Sequence, residues 1–209
     1  MIYEIAIVHL ALRGVPEYIE LFSEIVEPRQ AISRLVGFFN CDIGELNRIM
    51  QIWEYEDAAH RDTTLSELAK QPWWPPDARH LIQKKISRLM RTAHFLPRPR
   101  TENLGNVHEV RTYVGQPGKL EDVIQHWTDL LPGREKLSPC AAFFHDAPRP
   151  NGEWGYMHFW PYRDLNHRAE TRANSSKANW PPGTIPYART VVESQVSEIW
   201  IPASFSPMH

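Results

Sequence analysis

The alternation of apolar and polar residues predicts four strands and two main helices in the first half of the chain. Runs rich in Ile, Val, Leu or aromatic residues predict strands over residues 1–9, 35–40, 47–55 and 86–96. Apolar residues at helical spacing from Tyr18 to Ile25 predict the first helix, which Pro28 is expected to interrupt or end. Asp57 is placed to cap the second helix, and a short helical segment is expected over residues 77–84.

The same order of elements returns in the second half. Similar apolar runs predict strands over residues 107–114, 140–145, 153–162 and 191–201. A helix is predicted over residues 119–131, and Asp164 is placed to cap a second one. Each half therefore has the order β-α-β-β-α-β, which is the ferredoxin-like arrangement, and the predicted fold class is α+β.

A ten-residue segment of the first half recurs in the second half. Residues 52–61 (Ile-Trp-Glu-Tyr-Glu-Asp-Ala-Ala-His-Arg) return as residues 159–168 (Phe-Trp-Pro-Tyr-Arg-Asp-Leu-Asn-His-Arg). Trp, Tyr, Asp, His and Arg recur at a constant offset of 107 residues, which is the separation of Trp53 from Trp160. Such self-similarity indicates a duplicated structural unit. We therefore predict a first half over residues 1–98, a linker over residues 99–105 and a second half over residues 106–209.

Composition narrows the class of protein without pointing to a reaction. A hydrophobic content of 42% and a charged content of 23% are typical of a soluble globular protein. The formal net charge of −2 gives no electrostatic reason to expect a nucleic-acid or anionic-membrane partner. The N-terminus has no signal-peptide pattern and the chain has no apolar run of membrane-spanning length, so we expect a cytoplasmic protein. Cys41 and Cys140 are too few for a disulfide framework.

Several short motifs resemble those of one known family. Glu-Val-Arg-Thr-Tyr at residues 109–113, followed by Pro-Gly-Lys-Leu at residues 117–120, is similar to the opening segment of NIPSNAP domains. Gly-Glu-Leu-Asn at residues 44–47, Trp-Glu-Tyr at residues 53–55 and Arg61 resemble the middle segment of the same family. The resemblance extends over both halves and so over essentially the whole chain.

The resemblance implies a dimeric α/β-barrel, in which two ferredoxin-like sheets pack into one barrel. Here the two tandem halves of a single chain are expected to form it. Relatives in the wider barrel superfamily include cofactor-free monooxygenases, isomerases and haem enzymes, whereas NIPSNAP domains are mostly uncharacterised in function. Because a fold does not determine function, the site has to be inferred from its residues.

Two predicted strands of the second half place polar and aromatic side chains on one face. Side chains alternate along a strand, so Glu109, Arg111 and Tyr113 share a face, as do Tyr156, His158, Trp160 and Tyr162. We expect this face to line the barrel, and the apolar face with Val110, Val114, Met157 and Phe159 to pack on helices. By the repeat, the first half has Ala6, Val8 and Gln51 where the second has Arg111, Tyr113 and His158, so a site is expected in the second half.

These residue types indicate specific chemical roles. His158 is the candidate acid/base, Arg111 the candidate clamp for a carboxylate, enolate or phosphate oxygen, and Glu109 the residue that orients them. The candidate substrate contacts are Tyr113, His145, Tyr156, Trp160, Tyr162 and Arg168. Two structural alternatives compete with these roles: Glu109 and Arg111 form an ion pair only with each other, and Arg168 ties its helix to a neighbouring loop.

We interpret the chain as a small-molecule-binding protein and as a cofactor-independent enzyme of proton-transfer (isomerase) or monooxygenase type. Its expected substrate is an anionic, partly aromatic metabolite. The alternatives are a non-catalytic binding or adaptor protein and a haem- or metal-dependent barrel enzyme. His145, His158 and Glu109 are the candidate metal ligands, but the chain has no metal-binding motif, so neither metal nor cofactor is expected. Edge strands favour a homodimer.

Overall fold

The computed structural model describes residues 1–147, 149, 152–177 and 184–209, which form two compact units. Unit 1 comprises Met1–Met90 together with Trp200–Met208, and unit 2 comprises Arg91–Ile199 together with His209. Each unit has its own cluster of buried apolar side chains. Among the described residues, no helix is both long and apolar enough to span a membrane.

The first half has the predicted ferredoxin-like order, with its first helix divided in two. Its elements are β1 (Ile2–Leu10), α1 (Val15–Ser23), α2 (Val26–Ile32), β2 (Leu35–Ile43), β3 (Arg48–Tyr55), α3 (Ala58–Leu68), a 3-10 turn (Arg79–Leu81) and β4 (Ile82–Thr92). The strands lie in the order β4-β1-β3-β2, and neighbouring strands are antiparallel. This is the strand order of a ferredoxin-like sheet.

The second half repeats this arrangement, with its second helix divided in two. Its elements are β5 (Val107–Gly115), α4 (Leu120–Glu135), β6 (Ala142–His145), β7 (Trp154–Tyr162), α5 (Leu165–Lys177), α6 (Thr184–Val191) and β8 (Val192–Pro202). The strands lie in the order β8-β5-β7-β6. The predicted α+β class with two tandem ferredoxin-like halves is therefore confirmed.

Some element boundaries of the first half differ from those that the sequence predicts. The helix does not break at Pro28, which lies in the first turn of α2, where a proline without an N–H is tolerated. The break lies upstream, between Ser23 and Val26. The helix expected over residues 77–84 is only the 3-10 turn, so β4 begins four residues earlier than predicted, at Ile82.

The residues that recur between the halves hold each second helix on its sheet. The Asp57 side chain accepts a hydrogen bond from the His60 N–H at 2.8 Å, as expected of a helix N-cap. The next residue, Arg61, donates two hydrogen bonds from Nε and Nη2 to the carboxylate of Glu4 on β1, at 2.9 and 3.0 Å. The second half repeats this arrangement with Asp164, His167, Arg168 and Glu109.

A second repeated group is a buried arginine packed on a tryptophan. The Arg29 guanidinium lies 3.8 Å from the ring centre of Trp53 and donates to Ser33 and to the hydroxyl of Tyr55. The corresponding residues of unit 2 are Arg134, Trp160, Ser138 and Tyr162, with the guanidinium 4.2 Å from the indole centre. Since both units build this group in the same way, we assign it a structural role.

Gly105 offers a direct test of the backbone geometry that leads into β5. Its φ is +143°, and a Cβ at this position would collide with the carbonyl oxygen of Tyr162. We expect Gly105→Ala to lower the free energy of unfolding by several kcal/mol, measured by denaturant unfolding, because alanine is strained at this φ and its Cβ collides with the Tyr162 carbonyl.

Gly118→Ala is the matched control for this substitution. Gly118 also has a positive φ, of +75°, but a Cβ there would meet nothing within 4 Å. Its cost should therefore be the backbone conformation alone, about 1 kcal/mol. Equal losses of stability in the two variants would contradict the predicted collision at Gly105.

Candidate functional site

A cavity of about 340 Å³ lies in unit 2 between the sheet and its helices. Its floor is the polar-aromatic face of β5 and β7, and α4 and α6 contribute Trp127 and Tyr187 to its walls. The prediction that this face lines the barrel while the opposite face packs on helices is therefore wrong. Alternation along a strand separates the two faces but does not show which of them the helices cover. The aromatic rings on this face supply the apolar area that the helices bury.

The strand register brings the predicted residues together in cross-strand pairs. Arg111 lies opposite His158, Tyr113 opposite Tyr156 and Glu109 opposite Trp160. Residues paired in this way have Cβ atoms about 5 Å apart, close enough for one small molecule to contact several of them. The predicted residues that line the cavity are Glu109, Arg111, Tyr113, Tyr156, His158, Trp160 and Tyr162.

Two predicted substrate contacts lie elsewhere within the described part of the chain. Arg168 is absent from the cavity lining, and its Nε donates to Glu109 at 3.0 Å, so it has a structural role but ties its helix to β5 and not to a neighbouring loop. His145 is also absent from the lining, and its Nδ1 lies 3.0 Å from the backbone oxygen of Asp146. His145 therefore does not join His158 at the cavity.

Glu109 is the electrostatic centre of the site. Among the described residues its carboxylate contacts Arg111, Arg168 and Arg172 at 3.0 to 3.2 Å and accepts a 2.8 Å hydrogen bond from Ser197. Burial opposes ionisation, but the hydrogen bond from Arg168, the charge of Arg111 and the Ser197 hydroxyl outweigh it and lower the pKa of Glu109 to about 2. The group is therefore a carboxylate at neutral pH.

The second half adds positive charge that the first half does not have. Arg111 and Arg172 both line the cavity and share Oε1 of Glu109. The first half has the uncharged residues Ala6 and Leu65 at the corresponding positions. Its carboxylate, Glu4, still forms the ion pair with Arg61. One carboxylate cannot neutralise several guanidinium groups, so the cavity has an excess of positive charge that suits an anionic ligand.

His158 is held in one protonation state and one tautomer. It is 1% exposed, and its Nδ1 accepts a 2.6 Å hydrogen bond from the indole N–H of Trp160. Burial, and then the nearby charge of Arg111, lower the pKa of His158 well below its ordinary value, so the ring is neutral near pH 7. Because an indole N–H can only donate, the single ring proton lies on Nε2. Among the described residues, this buried Nε2–H has no hydrogen-bond partner.

The first half satisfies the corresponding donor with its own side chain. Gln51 Oε1 accepts from the Trp53 indole at 3.2 Å, and Gln51 Nε2 donates to the Tyr18 hydroxyl at 3.0 Å. The position of Tyr18 in α1 corresponds to Val123 in α4, since Arg29 and Arg134 follow them by eleven residues in each case. A valine cannot reach His158 as the tyrosine reaches Gln51.

Aromatic rings surround His158. The ring centres of Trp127, Tyr113 and Trp160 lie 4.7, 5.3 and 5.5 Å from that of the imidazole. Tyr113 and Tyr156 stack with their centres 4.6 Å apart and their planes within 5° of parallel. The site therefore combines flat apolar walls with a few polar groups, which is the usual composition of a small-molecule pocket.

The cavity residues that sequence reasoning missed include Arg172, Arg134 and Trp127. Arg172 is four residues beyond Arg168 and so lies on the same helix face, which could have suggested its approach to Glu109. Arg134 could have been found by aligning it with Arg29. Trp127 lies within the helix predicted over residues 119–131, but its position beside His158 depends on which face of the sheet that helix covers.

The donor set does not favour a metal site. Among the described residues, no group of three His, Cys, Asp or Glu side chains could hold a metal ion. A histidine that ligates a metal usually donates its other ring N–H to a neighbour. His158 accepts at Nδ1 instead, so the lone pair that would be needed at Nε2 is replaced by a proton.

Comparison with known proteins relates both halves to one family. The NIPSNAP family model matches residues 3–97 and 108–207. Protein NipSnap of Drosophila melanogaster is 21% identical over 182 residues, covering 83% of this chain and 64% of that protein. Protein NipSnap homolog 3A of Homo sapiens is 27% identical over 225 residues, covering 99% of this chain and 85% of that protein.

A solved structure supports the fold over the full length. The crystal structure of an anthrone oxidase-like protein matches with a TM-score of 0.61 and 8% identity, covering 100% of this chain and 94% of that chain. At this level of identity the likeness concerns the fold alone.

Glu109→Gln tests the electrostatic role of the buried carboxylate. The folded-state pKa lies below that of an ordinary glutamate, so the carboxylate stabilises the fold above pH 4.5 and this contribution is lost as the pH falls towards about 2. At pH 7 we expect a loss of unfolding free energy on the order of 3 kcal/mol. The difference between wild type and variant should stay constant while the pH of urea unfolding lies above 4.5, and it should shrink as the pH is lowered from 4.5 towards about 2.

Glu67→Gln is the control, because Glu67 is exposed on α3. This variant should differ little from wild type at any pH. A Glu109→Gln variant whose stability deficit does not change with pH would contradict the stabilising role of the ionised carboxylate.

Proposed function

The chain belongs to the NIPSNAP family, and we propose that its second half binds a small, anionic, partly aromatic molecule in the cavity of unit 2. The observation that carries this proposal is the pair of arginines, Arg111 and Arg172, beside aromatic walls in a cavity of about 340 Å³. That volume is within the range of small-molecule pockets, about 300 to 1,000 Å³.

The charge arrangement supports an anion in particular. Arg111 donates from Nε to Glu109 and from Nη1 to Tyr113, and neither bond uses Nη2. Within the described part of the chain, the Arg172 guanidinium contacts Glu109 through Nη1. Both guanidinium groups are therefore oriented by the protein while they retain donors for a ligand.

We further propose that the bound molecule is transformed without a cofactor, by proton transfer or by oxygenation. The positive side chains would stabilise a carbanion or enolate form of the ligand. In the oxygenation, that anion supplies the electrons to O₂, so that one oxygen atom enters the product and the other leaves as water. The name of the anthrone oxidase-like neighbour is consistent with this class of reaction.

Binding without catalysis is a second candidate function, and a specific observation favours it. His158, the residue expected to act as the base, accepts at Nδ1 from Trp160 and carries its proton on Nε2. It therefore has no free lone pair with which to remove a proton from a ligand. In either function His158 acts as a hydrogen-bond donor.

Arg111→Gln tests the binding proposal. We expect 1-hydroxy-2-naphthoate to bind wild-type protein in calorimetric titrations, and its uncharged carboxamide to bind at least about tenfold more weakly. Arg111→Gln should weaken naphthoate binding by a similar factor, because the charge that the ligand meets is removed. Arg189→Gln is the matched control, since Arg189 is exposed on α6 and does not line the cavity. Equal affinities for the acid and the amide would contradict an anion site.

Catalysis is tested with the same compound. An oxygen electrode should record uptake if the reaction is an oxygenation, and NMR in D₂O should record deuterium incorporation if it is a proton transfer. Either signal should fall at least about tenfold in Arg111→Gln and stay unchanged in Arg189→Gln. Tight binding with neither signal would favour the non-catalytic function for hydroxyaromatic acids.

A further inference from the structure

The two units have corresponding hydrogen-bond donors, Gln51 Nε2 and His158 Nε2, in different surroundings. In unit 1 the chain from Trp53 through Gln51 ends on the phenol oxygen of Tyr18. In unit 2 the chain from Trp160 ends at His158 Nε2, a buried atom that has no partner among the described residues, and His158 is one of the residues that line the cavity. Unit 1 therefore shows that a phenol oxygen can be the acceptor for a donor at this point of the fold.

The surroundings of the Tyr18 ring also have counterparts at the cavity. Tyr18 packs on Phe22 and Phe38, with ring centres 6.1 and 6.5 Å away and planes within 27°. The corresponding residues of unit 2 are Trp127 and Phe143, whose centres lie 4.7 and 6.4 Å from that of His158, with planes at 51° and 10° to the imidazole. Aromatic rings thus lie beside the residue with the unpartnered donor, as they lie beside the Tyr18 phenol.

The surroundings of Tyr18 and of His158 differ in charge. Burial raises the pKa of Tyr18 to about 12, although the hydrogen bond from Gln51 opposes the shift, so this phenol is neutral. Unit 1 has Ala6 where unit 2 has Arg111, which lies directly opposite His158 on the neighbouring strand. A phenol oxygen at His158 would therefore meet a guanidinium that Tyr18 does not meet.

Resting on the binding function proposed above, we propose that the cavity takes a phenol or enol in the place that Tyr18 fills in unit 1, and holds it as its oxyanion. His158 Nε2–H donates to the ligand oxygen and Arg111 supplies the opposing charge. The phenolic proton passes to bulk water as the ligand binds. A single donor between aromatic walls fits one ring-bound oxygen better than the two oxygens of a carboxylate.

The test uses 4-nitrophenol as the probe, because its phenolate form absorbs visible light and reports its own ionisation. Titration of the bound probe from pH 5 to 9 should give a pKa about one unit or more below that of free 4-nitrophenol. Arg111→Ala, which reproduces Ala6 of unit 1, should remove most of this shift. Arg189→Gln should leave the shift unchanged.

Substitutions at the donor and at the vacant position complete the test. His158→Gln should retain the shift, because an amide can accept from Trp160 and donate to the probe as Gln51 does. His158→Leu should weaken probe binding about tenfold. Val123→Tyr should block binding by placing a phenol of the chain in the site, and Val123→Leu should not. Thermal melting and circular dichroism establish that each variant is folded.

The outcomes separate this inference from the binding function. A lowered pKa that depends on Arg111, with binding blocked by Val123→Tyr, supports the inference. Binding of 4-nitrophenol with an unchanged or raised pKa overturns it, as does binding of the naphthoate without binding of 4-nitrophenol. Failure of both compounds to bind overturns the binding function as well.

Discussion

The structure depends on a carboxylate buried in the first strand of each half. Glu4 and Glu109 are 4% and 1% exposed, and each is held by an arginine from the second helix, Arg61 or Arg168. A buried charge without a partner costs several kcal/mol, so the helix must lie where its arginine reaches the strand. The N-cap aspartate fixes where that helix begins and therefore which residue reaches the carboxylate. The recurring segment of the sequence thus determines where the second helix of each half packs on its sheet.

The two units differ in what lies next to this shared ion pair. In unit 1 the space between sheet and helices is filled by the rings of Tyr18, Phe22 and Phe38, together with Trp53. In unit 2 Val123 replaces the tyrosine, and Arg111 enters where unit 1 has an alanine. A few substitutions thus give unit 2 a polar cavity where unit 1 has packed side chains. Both units keep the ion pair and the arginine–tryptophan group. Unit 1 consequently serves as an internal reference for unit 2.

Much of the fold and part of the site could be predicted from the sequence. Strand alternation and capping residues are local signals, and the internal repeat can be read at a constant offset. The α+β class and the gathering of Glu109, Arg111 and His158 on one face followed from those signals. Which face the helices cover did not follow, since aromatic residues suit either a cavity or a helix interface. The break in the first helix was placed at Pro28 because proline disfavours helix interiors, but that residue is tolerated in a first turn. The sequence left Arg168 as either a substrate contact or a structural tie, because its distance to Glu109 depends on tertiary structure.

The role of His158 depends on its neighbour two residues along the strand. Residue types alone suggested a base, because an imidazole in a pocket can accept a proton at either nitrogen. Trp160 removes that freedom: an indole N–H only donates, so it occupies Nδ1 and leaves the proton on Nε2. Burial and Arg111 prevent the ring from gaining a second proton near neutral pH. Because the indole in turn stacks on the Arg134 guanidinium, the repeated arginine–tryptophan group that supports the fold also fixes the direction in which His158 donates.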